Sequence, residues 1–155
     1  MLKTIPTYML MLLSIVCVLP ACWPGKSYSG FLVVNVLSSQ LYDDCHIKGS
    51  INVPFEELDS FIEVLDKDSR VVFYCSNYMC TSSGYAAKRL QEKGFENVWA
   101  YEGGTAEWFQ MGLPVEGPCK QAYLHKKMDP IVQESEVPVI SVYELAQKMG
   151  IPKNQ

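Results

Sequence analysis

The fold is decided by one stretch of the chain, Val71-Val72-Phe73-Tyr74-Cys75-Ser76-Asn77-Tyr78-Met79-Cys80-Thr81-Ser82-Ser83-Gly84-Tyr85-Ala86-Ala87. In it an apolar run ends abruptly at Cys75, a short polar loop follows, and a helix-like segment begins. This layout predicts a buried strand whose C-terminal end holds the Cys75 sulfur, facing the N-terminus of a helix. Because unpaired N–H groups at a helix N-terminus favour thiolate over thiol, Cys75 is predicted to be a nucleophile.

Length and charge restrict the kinds of protein that this chain can be. Its 155 residues suffice for one compact domain and are too few for two well-buried ones. The net charge of −4, without a basic stripe, excludes nucleic acid as a partner. We expect a monomer.

The N-terminal segment has the pattern of an export signal. Lys3 supplies a positive charge, and residues 8–19 form an apolar run of 12 residues broken only by Ser14. Such a run is too short to span a bilayer core, which needs about 20 apolar residues, but it fits a signal peptide. Leu19-Pro20-Ala21-Cys22 is similar to a lipobox. Residues 1–21 are therefore predicted to be a signal peptide and Cys22 a lipidation site, which places the protein in the cell envelope with a membrane anchor.

Two other interpretations of this segment remain open, an uncleaved membrane anchor and a buried N-terminal helix. If cleavage occurs before Cys22, the exported chain keeps Cys45, Cys75, Cys80 and Cys119 besides Cys22 in an oxidising setting. Four thiols allow three complete pairings, and a fully reduced state is also open.

Strands and helices alternate along the rest of the chain, which predicts an α/β domain with a parallel sheet. Ligand sites in such sheets form outside the carboxyl ends of the strands, where Cys75 is expected to lie. The predicted elements are a strand at Phe31–Val36, a helix through Leu58, Phe61, Ile62 and Leu65, a strand at Val71–Tyr74, a helix through Ala86, Ala87 and Leu90 ended by Gly94, a strand at Asn97–Tyr101, and a short helix at Glu107–Met111.

Three separated motifs over residues 31–117 resemble the rhodanese domain family. Cys75 matches the position of the family's sulfur-carrying cysteine. The other two motifs are His46-Ile47-Lys48-Gly49-Ser50-Ile51-Asn52-Val53-Pro54, similar to H-I-x-G-A-x-N-x-P, and Gly103-Gly104 with Trp108 and Gly112-Leu113-Pro114-Val115, similar to G-G-x-x-x-W…G-x-P-V.

The resemblance implies a three-layer domain, in which helices flank a mainly parallel sheet. It also implies an enzyme, a sulfurtransferase that carries sulfur as a persulfide on Cys75. A small sulfur-containing donor and a thiol acceptor would be its partners, and no cofactor is implied.

The chain departs from the family pattern at charged positions. Asn35 and Leu37 stand where the family commonly has Asp-x-Arg. The active-site loop lacks the usual glycine and arginine, and is similar to that of a subfamily with C-x-x-x-x-C. Thiosulfate is therefore not implied as the donor. A phosphatase of related fold is excluded because its loop needs an arginine for phosphate where Thr81 stands.

The predicted active-site loop runs from Cys75 through Ser76, Asn77, Tyr78, Met79, Cys80, Thr81 and Ser82. Backbone N–H groups of residues 76–82, with the hydroxyls of Thr81, Ser82 and Ser83, are expected to bind anionic sulfur in place of an arginine.

Alternative roles for the two loop cysteines stay open. Cys80 is a resolving thiol that forms a disulfide with Cys75, a contact for a substrate sulfur, or an inert residue where the helix begins. Cys75 itself is either the nucleophile or a buried apolar residue. The alternative function is a non-catalytic rhodanese module for partner binding or for thiol–disulfide redox sensing through Cys75 and Cys80.

A metal site is not expected. Cys45, His46, Cys75 and Cys80 are chemically adequate zinc ligands, but their spacing is not that of a known zinc module. His46 is predicted to be a structural hydrogen-bonding residue at a turn, and Trp108 to pack in the core. Gly103-Gly104 is predicted to form a tight turn with backbone angles that glycine accepts.

The C-terminal segment contains a further strand and helix. Residues 118–136 are predicted to be a linker, with Cys119 and His125 exposed. Val137–Ile140 is predicted to be a strand, and Ser141-Val142-Tyr143-Glu144 a capping box that opens a helix to Gly150. Rhodanese domains commonly begin with such an element, so residues 137–150 are hypothesised to complete the fold in a permuted order. The alternative is a loosely attached tail.

Overall fold

The computed structural model describes residues 27–130 and 135–152. The predicted signal peptide, residues 1–21, and Cys22 lie outside the described residues. Within the described ranges, no helix is long and apolar enough to cross a membrane. The elements are β1 (Phe31–Asn35), α1 (Ser39–Asp44), β2 (His46–Ile47), β3 (Ile51–Asn52), a 3₁₀ helix (Phe55–Glu57), α2 (Leu58–Glu63), β4 (Arg70–Tyr74), α3 (Ser82–Glu92), β5 (Val98–Tyr101), α4 (Gly104–Gln110), β6 (Val115–Glu116), a second 3₁₀ helix (Ala122–His125) and α5 (Val142–Lys148).

The main sheet is parallel, with strand order β3-β1-β4-β5. Val72 of β4 is aligned with Val33 of β1 and Trp99 of β5. Residues 71–74 of β4 are fully buried because the sheet is covered on both faces, and this explains their continuous apolar run. The predicted α/β fold, a mainly parallel sheet flanked by helices, is confirmed.

Side chains of β4 alternate between two apolar clusters on opposite faces of the sheet. Phe73 packs in the cluster formed with α2 and α3, whereas Tyr74 packs with Trp108 of α4 and Leu145 of α5. Trp108 is fully buried, and its indole N–H donates to the Pro114 carbonyl oxygen at 2.9 Å. The prediction that Trp108 packs in the core is confirmed.

The predicted elements differ from the observed ones mainly at their ends. The helix expected through Leu65 ends at Glu63, and Leu65 instead forms a parallel bridge with Tyr28. The helix expected from Glu107 begins earlier, at Gly104. The hydrophobic pattern of the sequence did not predict α1, β2, β3 or β6, because elements of two to six residues are too short to show a helical or strand periodicity.

The C-terminal segment lies along the outer edge of β5. Ala100 donates its N–H to the Pro138 carbonyl oxygen at 2.9 Å and accepts from the Ile140 N–H at 3.0 Å. The capping box between Ser141 and Glu144 forms, and the α5 side chain Leu145 is fully buried. This segment is therefore packed on the sheet, although its strand amounts to a single bridge. The permuted origin of this arrangement stays a prediction.

The start of the predicted 118–136 linker is also folded onto the domain. Cys119 is not an exposed thiol, since it forms a disulfide with Cys45, 74 residues earlier in the sequence. The second 3₁₀ helix follows, with Leu124 fully buried and its carbonyl oxygen accepting from Gln110 Nε2 at 2.9 Å. Linker composition gave no sign of a crosslink to a distant residue. His125 is exposed, as expected.

We expect Leu145→Ala to lower the free energy of unfolding by about 2–5 kcal/mol, because it leaves a cavity between α5 and the sheet. Tyr143 on the same helix is 62% exposed, so the control Tyr143→Ala should cost less than about 0.5 kcal/mol. Chemical denaturation of both variants checks this. Equal stability of the two variants would show that α5 is not part of the folded unit.

Removal of the crosslink with Cys119→Ser should lower the free energy of unfolding by about 2–4 kcal/mol, because the unfolded chain gains freedom. A reducing agent should destabilise the wild-type protein by a similar amount and leave the variant unchanged. Peptide mapping without reductant that finds Cys45 and Cys119 both alkylated would contradict the pairing.

Candidate active site

The loop that follows β4 begins with two carbonyl groups anchored to α4. The Cys75 carbonyl oxygen accepts from the Thr105 backbone N–H at 3.0 Å and from the Thr105 hydroxyl at 3.2 Å. The Ser76 carbonyl oxygen accepts from the Ala106 N–H at 2.9 Å. The end of β4 and the first turn of α4 are thereby joined, which positions Cys75 at the carboxyl end of a central strand.

Gly104 makes this contact sterically possible. A Cβ atom at Gly104 would lie 2.5 Å from the Cys75 carbonyl oxygen, well inside van der Waals contact. Gly104 also has a positive φ of 60°, which side-chain-bearing residues rarely adopt. Gly103 has an ordinary φ of −62°, so the expected glycine-specific backbone angle applies to the second glycine of the pair alone.

A carboxylate ties the middle of the loop to the sheet. The Tyr78 and Tyr101 hydroxyls each donate to Glu107, to Oε1 and Oε2 respectively, both at 2.8 Å. Burial, and then the neighbouring Glu107, raise the pKa of both tyrosines, so both remain protonated donors. Glu107 was not predicted as a site residue, because nothing in the sequence spacing links it to Tyr78.

The two loop cysteines are free thiols that interact with each other. Cys75 is fully buried, and its Sγ donates to the Cys80 carbonyl oxygen at 3.0 Å, with Ser83 Oγ at 3.6 Å. The hydrogen bond with the Cys80 side chain, together with burial, raises the pKa of the Cys75 thiol well above its usual value.

The pKa of Cys80 shifts the other way. The hydrogen bond from the Cys75 side chain lowers the pKa of Cys80 to about 5 against the opposing effect of burial, and donors from Ser82 and Ser76 lower it further. We expected the helix N-terminus to favour a thiolate on Cys75. The opposite pKa shifts favour a thiolate on Cys80, although Ser83 at the start of α3 also lowers the pKa of Cys75 through its side chain and backbone. The thiolate on Cys75 stays a prediction.

A cleft of about 260 Å³ opens beside Cys80. Cys80 lines it and Cys75 does not. Lys88 of α3 and Glu136 of the C-terminal segment form an ion pair at its rim, so the segment that packs beside β5 also supplies one wall. We call this space the active-site cleft. Its walls include Tyr78, Cys80, Tyr85, Lys88, Glu136 and Val137.

Asn35 stands where the family commonly has an aspartate at the end of a strand, and it has a structural role in this protein. Asn35 is fully buried at the end of β1, and its Oδ1 accepts from the Leu37 N–H at 2.9 Å. The Leu37 carbonyl oxygen in turn accepts from Asn52 Nδ2 at 2.9 Å. These contacts close the turn after β1 with neutral groups.

His46 is a structural residue, as predicted. Its Nδ1 lies 2.8 Å from the Tyr42 carbonyl oxygen, and its ring stacks on the Tyr42 ring with centroids 3.8 Å apart. Cys45, the other upstream member of the zinc set considered above, is bound to Cys119 and cannot offer a thiolate. Over residues 27–130 and 135–152, no three His, Cys, Asp or Glu side chains are grouped to bind a metal ion.

The disulfide-linked segment brings an unforeseen side chain towards the site. The Tyr123 hydroxyl is buried near Thr105. Burial is the main cause that raises the pKa of Tyr123, the interaction with Thr105 lowers it in part, and the nearby Asp44 carboxylate raises it further. No sequence signal could reveal this placement, because it depends on the Cys45–Cys119 bond.

Comparison with known proteins identifies the fold. The model of the rhodanese-like domain matches residues 26–111. The chain belongs to the rhodanese-like domain family. Its curated relatives include the thiosulfate sulfurtransferase GlpE of Shewanella oneidensis, 33% identical over 50% of this chain and 75% of the relative. The GlpE protein of Vibrio cholerae is 30% identical over 54% of this chain and 77% of the relative.

Solved structures agree with this assignment. A protein from Bacillus halodurans is 29% identical, covers 59% of this chain and 67% of its own, and superposes with a TM-score of 0.53. A rhodanese-like domain from Anabaena sp. is 30% identical over 56% of this chain and 87% of its own, with a TM-score of 0.51. These likenesses cover little more than half of this rhodanese-like chain.

Alkylation of Cys80 by iodoacetamide should follow a titration with a midpoint at about pH 5. Thiolate is the reactive form, so the rate should be constant at neutral pH and fall as the pH drops through 5. Peptide mass spectrometry over a pH series measures this rate. The Cys80→Ser variant should lose the acidic titration, and a wild-type midpoint above pH 8 would contradict the thiolate assignment.

Gly104→Ala should destabilise the domain by more than Gly112→Ala does. Both glycines have positive φ, 60° and 68°, but a Cβ at Gly112 meets nothing within 4 Å whereas one at Gly104 meets the Cys75 carbonyl. The shared strain is about 1 kcal/mol, and the clash adds roughly 1–3 kcal/mol. Equal losses in thermal unfolding would rule out the close approach.

Proposed function

We propose that this rhodanese-like domain is a sulfurtransferase that carries sulfane sulfur as a persulfide on Cys75. The observation that carries the proposal is the pair of free thiols at the carboxyl end of β4, where Cys75 Sγ donates to the Cys80 carbonyl oxygen at 3.0 Å. Thiosulfate sulfurtransferases are among the relatives, and sites in parallel sheets lie at this end. The active-site loop, residues 76–82, supplies the donors around the sulfur.

The pair supplies an ionised sulfur without an arginine. Cys75 Sγ donates its proton to the Cys80 carbonyl oxygen at 3.0 Å, and the pKa of Cys80 is lowered to about 5. Transfer of the Cys75 proton to the Cys80 sulfur then leaves a thiolate on Cys75. A Cys75 thiolate can take a sulfur atom from a small sulfur-containing donor as a persulfide. The persulfide then gives its outer sulfur to a thiol acceptor, and the Cys75 thiolate is regenerated.

The proposed location of the protein is the cell envelope. Residues 1–21 serve as a signal peptide, Cys22 carries a lipid anchor, and the exported domain acts as a monomer. A disulfide between Cys45 and Cys119 suits an oxidising compartment. Incorporation of labelled palmitate in cells, lost in Cys22→Ser, tests the anchor. A protein recovered from the soluble cytoplasmic fraction with residues 1–21 intact would refute it.

Persulfide formation is tested by incubating the protein with thiosulfate, inorganic polysulfide and glutathione persulfide in separate reactions. We expect a mass increase of one sulfur atom with at least one donor, its location on Cys75 by peptide fragmentation, and its loss on addition of cyanide or dithiothreitol. The wild-type protein without donor is the control. No adduct on the wild-type protein with any donor would disprove sulfur carriage.

A second function is favoured by the same thiol pair, namely a rhodanese module that binds a partner or senses redox state through Cys75 and Cys80. One of the relatives is named as a transcriptional regulator. An HTH-type transcriptional regulator of Mycobacterium tuberculosis is 33% identical over 54% of this chain and 37% of its own length. Joint loss of both thiols on mild oxidation, with no sulfur adduct from any donor, would favour this alternative.

A further inference from the structure

The two sulfur atoms of the loop differ in their access to solvent. Cys75 has no exposed surface, lies among the apolar side chains between β4, α2 and α3, and does not border the active-site cleft. Cys80 is partly exposed and forms part of the cleft wall. A donor molecule that enters the cleft therefore reaches the Cys80 sulfur first.

Local hydrogen bonds reinforce this difference. Cys75 Sγ donates to the Cys80 carbonyl oxygen at 3.0 Å and lies 3.6 Å from Ser83 Oγ of α3, so both polar contacts of the enclosed thiol are made inside the protein. Donors from Ser76 and Ser82 are directed at the Cys80 sulfur. The loop thus stabilises negative charge on the sulfur that faces the cleft.

We propose that Cys80 is the thiol that attacks the sulfane-sulfur donor, and that it passes the sulfur inward to Cys75. This inference rests on the proposed sulfurtransferase function and assigns the first chemical step to a different residue. Cys80 becomes a catalytic residue, and Cys75 becomes the enclosed carrier. Burial of the carrier would protect its persulfide from water and from oxidants.

The chemistry balances without an external oxidant or reductant. For a thiol persulfide donor RS–S⁻, the Cys80 thiolate attacks the outer sulfur, the S–S bond breaks, and RS⁻ leaves with the electron pair. The product is Cys80–S–S⁻. Cys75 then attacks the outer sulfur, its proton moves to the departing Cys80 sulfur, and the products are Cys75–S–S⁻ and Cys80–SH. Each step exchanges one S–S bond for another.

The cleft also indicates the kind of donor that reaches Cys80. Its walls combine the aromatic rings of Tyr78 and Tyr85 with the Lys88–Glu136 ion pair, and its volume is about 260 Å³. That volume accommodates a small organic persulfide. The Lys88 ammonium group at the rim is paired with the Glu136 carboxylate. The cleft therefore offers no concentrated positive charge of the kind that binds small inorganic dianions.

Rapid-quench loading of the full chain with glutathione persulfide tests the assignment. Cys75 and Cys80 lie in one tryptic peptide, residues 71–88, whose fragment ions locate the added sulfur. In wild type the earliest adduct should be on Cys80. In Cys75→Ser the adduct should form on Cys80 and remain there, and in Cys80→Ser Cys75 should load at least about tenfold more slowly than in wild type.

Cys75→Ser and Cys80→Ser form a matched pair, because each replaces one sulfur by a hydroxyl in the same loop. As a control, circular dichroism should show that both variants are folded. An independent measurement on the wild-type protein is brief iodoacetamide treatment at neutral pH, which should label Cys80 before Cys75.

Wild-type loading of Cys75 in Cys80→Ser, or earlier labelling of Cys75, would overturn the inference and leave sulfur carriage intact. No persulfide on either cysteine of the wild-type protein would overturn the proposed function itself, and the inference with it.

Discussion

The arrangement of the site depends on the contact between the end of β4 and the first turn of α4. Two carbonyl groups of the loop, those of Cys75 and Ser76, accept hydrogen bonds from Thr105 and Ala106, and Gly104 lies against them at a distance that admits no side chain. Because these bonds orient the first loop residues, the chain turns back on itself and brings Cys80 beside Cys75. The pairing of the thiols is therefore a consequence of backbone packing.

That pairing offers a physical substitute for the charge that the family usually places in this loop. The pKa of Cys75 is raised and that of Cys80 is lowered by hydrogen bonds from Cys75, Ser82 and Ser76, which favours one negative charge on the pair. A neighbouring arginine is then unnecessary for ionisation. The turn after β1 is also closed by neutral groups, because the Asn35 side chain accepts a hydrogen bond from the Leu37 N–H. The family's Asp and Arg charges are therefore absent from this strand end as well as from the loop.

Much of the fold could be predicted because its signals are local. The apolar run of β4 indicated a strand buried on both faces, and the Ser141–Glu144 capping box indicated where α5 begins. Other features depend on residues far apart in sequence. The disulfide joins positions 74 residues apart, and the hydrogen bond from the Tyr78 hydroxyl to Glu107 joins the active-site loop to α4. Cys119 was predicted from the sequence to lie in a linker, whereas its disulfide with Cys45 holds it against the domain.

By itself the sequence determined the α/β architecture, the family, and the position of a thiol-bearing loop after the central strand, because apolar periodicity and short motifs are encoded by neighbouring residues. Only the tertiary structure decided which thiol is enclosed, which one lines the cleft, and in which direction the pKa of each thiol shifts. Those properties follow from burial and from the direction of hydrogen bonds, which the folded packing of β4, α3 and α4 sets.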